Sequence, residues 1–204
     1  MKFLDYDNDG WNDILQLNGA MLDNVSLYHG EVSYKEPLLM YRNLGKGEFD
    51  KVSESLGPDF IRPIVGRGLA TADFDNDGDI DIVTNNRGDY PSLLRNDGGN
   101  ANHWLTVLLI GTKSNRDGIG ASLKLTSEGF TQVEQAKGGM SYMSASDPRI
   151  HFGLGKRAKI DTLEITWPSG QVDRLKNLPV DQIIAVKEGS GITPRSFPKI
   201  PSSK

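Results

Sequence analysis

The chain of 204 residues contains no cysteine. That excludes disulfides, thiolate metal sites and cysteine nucleophiles. It leaves the compartment open, because a secreted chain can dispense with disulfides if something else staples its loops. Histidine is almost as scarce. His29, His103 and His151 stand far apart, and nothing beside them supplies the further ligands of a zinc site. No apolar run approaches the roughly 20 residues that a membrane helix needs, so no membrane insertion is expected. After Met1 and Lys2 the chain soon runs into aspartates, with no apolar segment of signal-peptide length, so any export signal is expected upstream. No basic stripe points to nucleic acid.

What is abundant is acid, in two places. Residues 5–13 read DYDNDGWND and residues 73–81 read DFDNDGDID. Both runs have Asp at the first, third, fifth and ninth places, Asn at the fourth and Gly at the sixth. Together they hold nine of the chain's 27 acidic residues; the other 18 face 23 lysines and arginines. The net charge of −4 therefore conceals local acidity on an otherwise basic chain. An apolar fraction of 37% and a charged fraction of 25% suit a folded protein with a sizeable core, as one domain or two small ones.

The runs belong to a longer repeat. Each is followed by a short apolar stretch, DILQLN from Asp13 and DIVTNN from Asp81, and then by an Arg-Asn-x-Gly turn at residues 42–45 and 95–98. The first copy carries extra residues within Gly19 to Pro37, which reads as a loop insertion. The apolar stretches are too short for helices and read as strands. LLMYRN, a Gly-Lys-Gly turn and EFDKVS predict a hairpin, and GRGLATAD predicts a strand leading into the second Asp run. Such a unit of about four short strands has the size of a propeller blade. From His103 onward HWLTVLLIG, ASLKLTSEG, TQVEQAKGG, IDTLEITW, QVDRLKNL and QIIAVKEG predict an all-β module, with a β-turn at Trp167-Pro168-Ser169-Gly170. The tail from residue 190, rich in proline, is expected to be a loose end.

Four carboxylates in nine residues repel one another unless a cation lies among them. Calcium takes six to eight oxygens, and alternate residues of a tight loop can turn carboxylates toward one point. The expected ligands are Asp5, Asp7, Asp9 and Asp13 with the carbonyl of Trp11, and Asp73, Asp75, Asp77 and Asp81 with the carbonyl of Asp79. That predicts two calcium sites. Magnesium demands a tighter octahedron and gives up its water reluctantly, which favours calcium. An EF-hand would need Glu at the twelfth place and flanking helices, whereas Gln16 and Thr84 stand there and strands flank the loops. The alternative is a pair of solvated acidic turns, against which two full copies in matching places argue.

DFDNDGDIDIVTNN with LLRNDGG, and DYDNDGWNDILQLN with YRNLGKGEF, resemble the FG-GAP/VCBS-type repeats of integrin-like β-propellers. NHWLTVLLIG, NRDGIGASL, GGMSYMSASDPRIHFGLG and LEITWPSGQV resemble the ASPIC/UnbV domain. The pair in that order is similar to the C-terminal end of proteins of the cartilage acidic protein type, over about residues 3 to 188. The resemblance implies an all-β chain: a partial β-propeller of the last one to two blades over residues 1–101, then a small β-sandwich-like ASPIC/UnbV domain over residues 102–189. It also implies an extracellular or cell-surface setting, calcium in the Asp loops, no established catalytic residue, and the remainder of the propeller upstream. The expected function is a non-enzymatic calcium-binding interaction module with a protein or glycan partner. The alternatives are the accessory or substrate-binding end of a larger secreted enzyme, and a carbohydrate-binding or adhesion module.

Other groups have the residue types of reactive sites. Ser146, Asp147 and His151 are those of a hydrolytic triad but lie on one short run, where such groups seldom converge; His151 is expected to bond the backbone of a Gly-rich corner. Arg116 in SNRDGIG could hold an anion, but the P-loop and Rossmann spacings are missing. His103 opens a strand and Trp104 is expected in the core. Arg42 and Arg95 are expected to partner loop carbonyls or carboxylates.

Overall fold

A computed structural model describes residues 1–200. The chain is all-β, with only three short 3-10 turns, at Val25–Leu27, Ser53–Ser55 and Gly99–Ala101, among the described residues. The first sheet is an antiparallel meander of β1 (Lys2–Leu4), β2 (Asp13–Gln16), β3 (Leu39–Asn43) and β4 (Phe49–Lys51). The predicted hairpin closes β3 on β4 through Gly45, Lys46 and Gly47, all at positive φ. The second sheet repeats the pattern with β5 (Gly66–Ala72), β6 (Asp81–Asn86) and β7 (Ser92–Leu94). One Asp run joins β1 to β2 and the other joins β5 to β6, so strands flank both. Leu4, Leu15 and Met40 from the first sheet, with Leu38 just before β3, share a core with Phe60, Ile64, Leu69 and Ile82. Each such side chain contributes about 1.5–3 kcal/mol on burial. The core therefore glues the two units into a pair of blades.

The remaining strands form two four-stranded sheets, neither closed into a barrel. One has the order β10 (Phe130–Gln135), β9 (Ser122–Ser127), β12 (Ile160–Thr166), β13 (Val172–Leu178). The other has the order β11 (Ile150–Gly155), β8 (His103–Ile110), β14 (Gln182–Lys187), β15 (Gly191–Thr193). All pairs are antiparallel except β8 with β14. Leu123, Leu125, Leu163 and Ile165 from one sheet meet Leu105, Val107, Phe152 and Val186 from the other in a single core, which makes the module a sandwich. The expected turn at Trp167 closes with a bond from the Gly170 N–H to the Trp167 carbonyl (2.9 Å). Glu188, buried at its rim, collects the backbone N–H groups of Thr112, Lys113 and Ser114 at 2.7–2.8 Å.

The tail departs from expectation. Gly191–Thr193 is a strand on the edge of β14, not part of a loose end. Further on, the Ile200 N–H donates to the Asp75 carbonyl (2.7 Å), and Asn76 Nδ2 donates to the Pro198 carbonyl (2.9 Å). Proline holds the chain extended, and an extended segment can pair along an edge that needs partners. Residues 201–204 of that tail lie outside the described residues.

Candidate metal centre

The two Asp loops are built alike. In each, the first-place carboxylate receives the N–H groups of places five and six: Asp9 and Gly10 on Asp5 (3.1 and 2.8 Å), Asp77 and Gly78 on Asp73 (3.0 and 3.1 Å). The ninth-place carboxylate bridges two segments. Asp13 accepts from the N–H of Tyr6 and of Asn43, and Asp81 from that of Phe74 and of Asn96. This explains why an Arg-Asn-x-Gly turn accompanies each run: its Asn N–H anchors the loop's last Asp. The fourth-place Asn8 and Asn76 take up φ of 56° and 61°, a left-handed conformation that Asn tolerates better than most residues.

Carboxylate oxygens of Asp5, Asp7 and Asp13 lie within 4.8 Å of one another, as do those of Asp73, Asp75 and Asp81. Places one, three and nine thus converge as expected. Asp9 and Asp77 at place five stand outside these clusters. Each instead accepts the N–H of place seven (2.9 Å), and Asp9 also meets Arg42 at 3.3 Å. Arg42 pairs with Asp7 at 2.8 Å as well, whereas Arg95 pairs with Asp97 at 2.7 Å. Place seven differs between the copies. Trp11 is 44% exposed, while the Asp79 carboxylate is fully buried.

Burial pushes the carboxyl groups upward. Asp5 rises to about 8, where burial and the charges of Asp9, Asp13 and Asp7 outweigh the Gly10 N–H. Burial and neighbouring carboxylates raise Asp79 to about 7, and burial raises Asp13 to about 7 against its N–H donors. Asp73 and Asp81 rise to about 6, again chiefly through burial. Asp7 Oδ1, Asp75 Oδ1 and both oxygens of Asp79 are buried with no hydrogen-bond partner among the described residues. A buried carboxylate oxygen without a donor is costly unless a cation approaches it. An all-oxygen set of this kind fits a hard cation such as calcium.

Both loops seat on the sandwich. A Cβ at Gly153 of β11 would overlap Asp5 and the Asn8 backbone, and one at Gly78 would overlap the Trp104 indole. The Gly155 N–H donates to the Asn8 carbonyl (2.7 Å), and Asn8 Nδ2 donates to the Gly78 carbonyl (2.9 Å), so the first loop touches the second as well. Arg149 donates to the Asp73 carbonyl and to Asn76 Oδ1, both at 2.6 Å. Trp11 packs edge-on against Phe130, with ring centroids 5.6 Å apart. Residue types in the Asp runs do not reveal these partners, which come from strands up to 148 residues away.

The other groups raised by the sequence stand apart from the Asp clusters or beside them as follows. His151 does not bond a backbone corner. Its Nε2 meets Asn8 Oδ1 (2.6 Å) and its Nδ1 meets Thr106 Oγ1 (2.8 Å). Since Asn8 Nδ2 already donates to Gly78, Asn8 Oδ1 is the acceptor, and Nε2 carries the proton of a neutral ring. Burial first, and then Arg149, pull His151 down to about 4, consistent with a neutral ring. Asp147 grips Arg149 at 2.6 Å, so Ser146, Asp147 and His151 form no triad. His103 pairs with Asp181 (2.8 Å), Trp104 is buried, and His29 lies 3.5 Å from Glu31. Arg116 offers its carbonyl to the Gly111 N–H (2.9 Å), within a turn that Asn115 closes on Ile119.

Residues 5–84 match the FG-GAP-like repeat family, and residues 111–193 match the ASPIC and UnbV family. Over 176 residues, 82% of its length, the chain is 28% identical to Cartilage acidic protein 1 of Xenopus tropicalis. It is 27% identical to Cartilage acidic protein 1 of Mus musculus and of Homo sapiens over 177 residues. The chain spans about a quarter of the length of these curated relatives (25%, 25% and 24%). The chain thus carries a match to an FG-GAP-like repeat followed by a match to an ASPIC and UnbV domain, and over most of its length it is similar to Cartilage acidic protein 1.

Proposed function

We propose that the chain is a non-enzymatic, extracellular interaction module whose two Asp loops hold calcium as a structural ion. The observation that carries this is the set of buried, unpartnered carboxylate oxygens on Asp7, Asp75 and Asp79 beside clusters of three carboxylates in two matching loops. Asp5, Asp7 and Asp13 would hold one ion and Asp73, Asp75 and Asp81 the other, with the place-five carboxylates and place-seven carbonyls as further oxygens. The ion's contribution is charge neutralisation. Asn8, Gly10, Asn76 and Gly78, in the same loops, then carry the fixed loop shape to the sandwich. The likeness to a cartilage protein supports an extracellular or cell-surface setting. A protein or glycan is the fitting partner for such a module, and further blades are expected upstream of these two. Among the groups that invite an enzyme reading, Asp147 and His151 are engaged in holding the sandwich to the loops, which supports a binding role.

At free calcium 100 times the dissociation constant, one site stabilises the fold by about 2.7 kcal/mol. Asp73→Ala and Asp5→Ala should therefore lower the melting temperature clearly in millimolar calcium and far less in chelator. Equal losses in both conditions would contradict a structural ion.

A further inference from the structure

Between the blades and the sandwich lies a cavity of about 130 Å³, lined by Lys2, Lys137, Gln135, Met140 and Ser146 among others. One water needs only ~10–15 Å³ of such space. Lys137 and Met140 are both exposed, which puts the mouth of the cavity on their side. Lys2 lies deeper. It is only 4% exposed, and the single hydrogen-bond partner of its ammonium among the described residues is Ser146 Oγ.

A buried ammonium is normally matched by a carboxylate. Lys2 and Lys137 have none within ion-pair distance among the described residues. The acidic groups around the cavity are committed elsewhere. Asp147 is held by Arg149, Glu134 accepts from Asn12 (3.2 Å), and Asp5 and Asp73 accept from N–H groups of their own loops. Ser146 Oγ already accepts twice, from Lys2 and from the Thr71 N–H (3.1 Å). Its own proton is therefore left to donate, and no acceptor for it exists among the described residues. Two N–H bonds of Lys2, the Ser146 hydroxyl and the Lys137 ammonium are thus unspent donors on one cavity. Burial, and secondarily Lys137, bring Lys2 down only to about 8, so the amine is still mostly charged at neutral pH.

We propose that this cavity binds a small oxyanion, a sulfate, phosphate or carboxylate group, between Lys2, Lys137 and Ser146. The anion supplies the countercharge that Lys2 lacks and accepts from all three side chains. Because Lys2 opens the first blade and Ser146 and Lys137 belong to the sandwich, the bound group bridges the two. An oxyanion carried on a larger partner would use the same donors through the mouth beside Lys137.

The test is a calorimetric titration of calcium-loaded protein with sodium sulfate and, separately, sodium acetate, at constant ionic strength. One saturable site is expected. Tighter sulfate would assign a sulfate or phosphate group, and tighter acetate a carboxylate. Lys2→Met should weaken binding at least tenfold. Lys137→Met, at an exposed position that leaves folding intact, should weaken it severalfold. No saturable binding in the wild-type protein, or unchanged binding in Lys137→Met and Lys2→Met, would overturn the proposal. Calcium binding measured on the same samples keeps this result separate from the fate of the Asp loops.

Discussion

The upward shift of the loop carboxyl groups has a direct consequence in the calcium-free protein. Asp5, Asp13 and Asp79 sit near 7–8 and Asp73 and Asp81 near 6, against about 3.9 for an unfolded aspartate. The folded state then holds protons more tightly than the unfolded one. The stability that these protons contribute is complete below about pH 4 and is lost as pH rises through 6 to 8. In chelator the melting temperature should fall across that window. In calcium the trend should reverse, because a cation replaces the protons. Melting scans at pH 5 and pH 8 with and without calcium read both signs, and parallel curves would refute the linkage.

Gly78 is the other residue on which much turns. It has φ of 101°, and its Cα faces the Trp104 indole with no room for a methyl group. Gly47, at φ of 82°, is open: a Cβ there would have nothing within 4 Å, so alanine meets only the backbone penalty. Gly78→Ala should cost about 1–3 kcal/mol more than Gly47→Ala in denaturant unfolding, from overpacking against the ring. Equal costs would mean that the loop does not seat on Trp104. Sequence alone made the glycine legible as a turn residue. Its second duty was not, because Trp104 is 26 positions further on and only folding brings them together.

At the scale of elements, the repeated Asp loop was the most readable part of the chain, since its spacing brings places one, three and nine together, though place five turns to the N–H of place seven instead. The strands around it followed from short apolar stretches closed by Gly and Asn. Less readable was how the two copies differ. The Asp73 cluster is fully buried, whereas only Asp13 is buried in the first. The second loop also carries Asp79 where the first has Trp11, and Arg42 meets two carboxylates of the first loop while Arg95 turns to Asp97. More negative charge, deeper burial and no guanidinium paired to a loop carboxylate favour the second loop, which should fill at lower calcium. The strand at Gly191–Thr193 is hidden in the sequence because three residues between glycine and proline carry no periodicity. Its order comes from the free edge of β14.

For the whole molecule, blades and sandwich are separate cores that meet through the Asp loops and through residues 144–147, which bond along β5. Asn8, Gly78, Arg149 and Gly153 carry that contact, and few of the core's large apolar side chains take part in it. Such a joint depends on loop shape, and loop shape depends on relief of carboxylate repulsion. With calcium, heat should unfold the chain in one cooperative transition. In chelator at pH 8 the blades should melt first and the sandwich later, as two resolved transitions in scanning calorimetry. One unchanged transition in chelator would mean that the joint holds without an ion.

The most direct measurement is a calorimetric titration of calcium into chelator-stripped protein at pH 8. Two unequal sites are expected, with Asp73→Ala removing the tighter one and Asp5→Ala the weaker. No heat of binding up to several millimolar calcium would contradict the account and leave the loops as empty acidic turns.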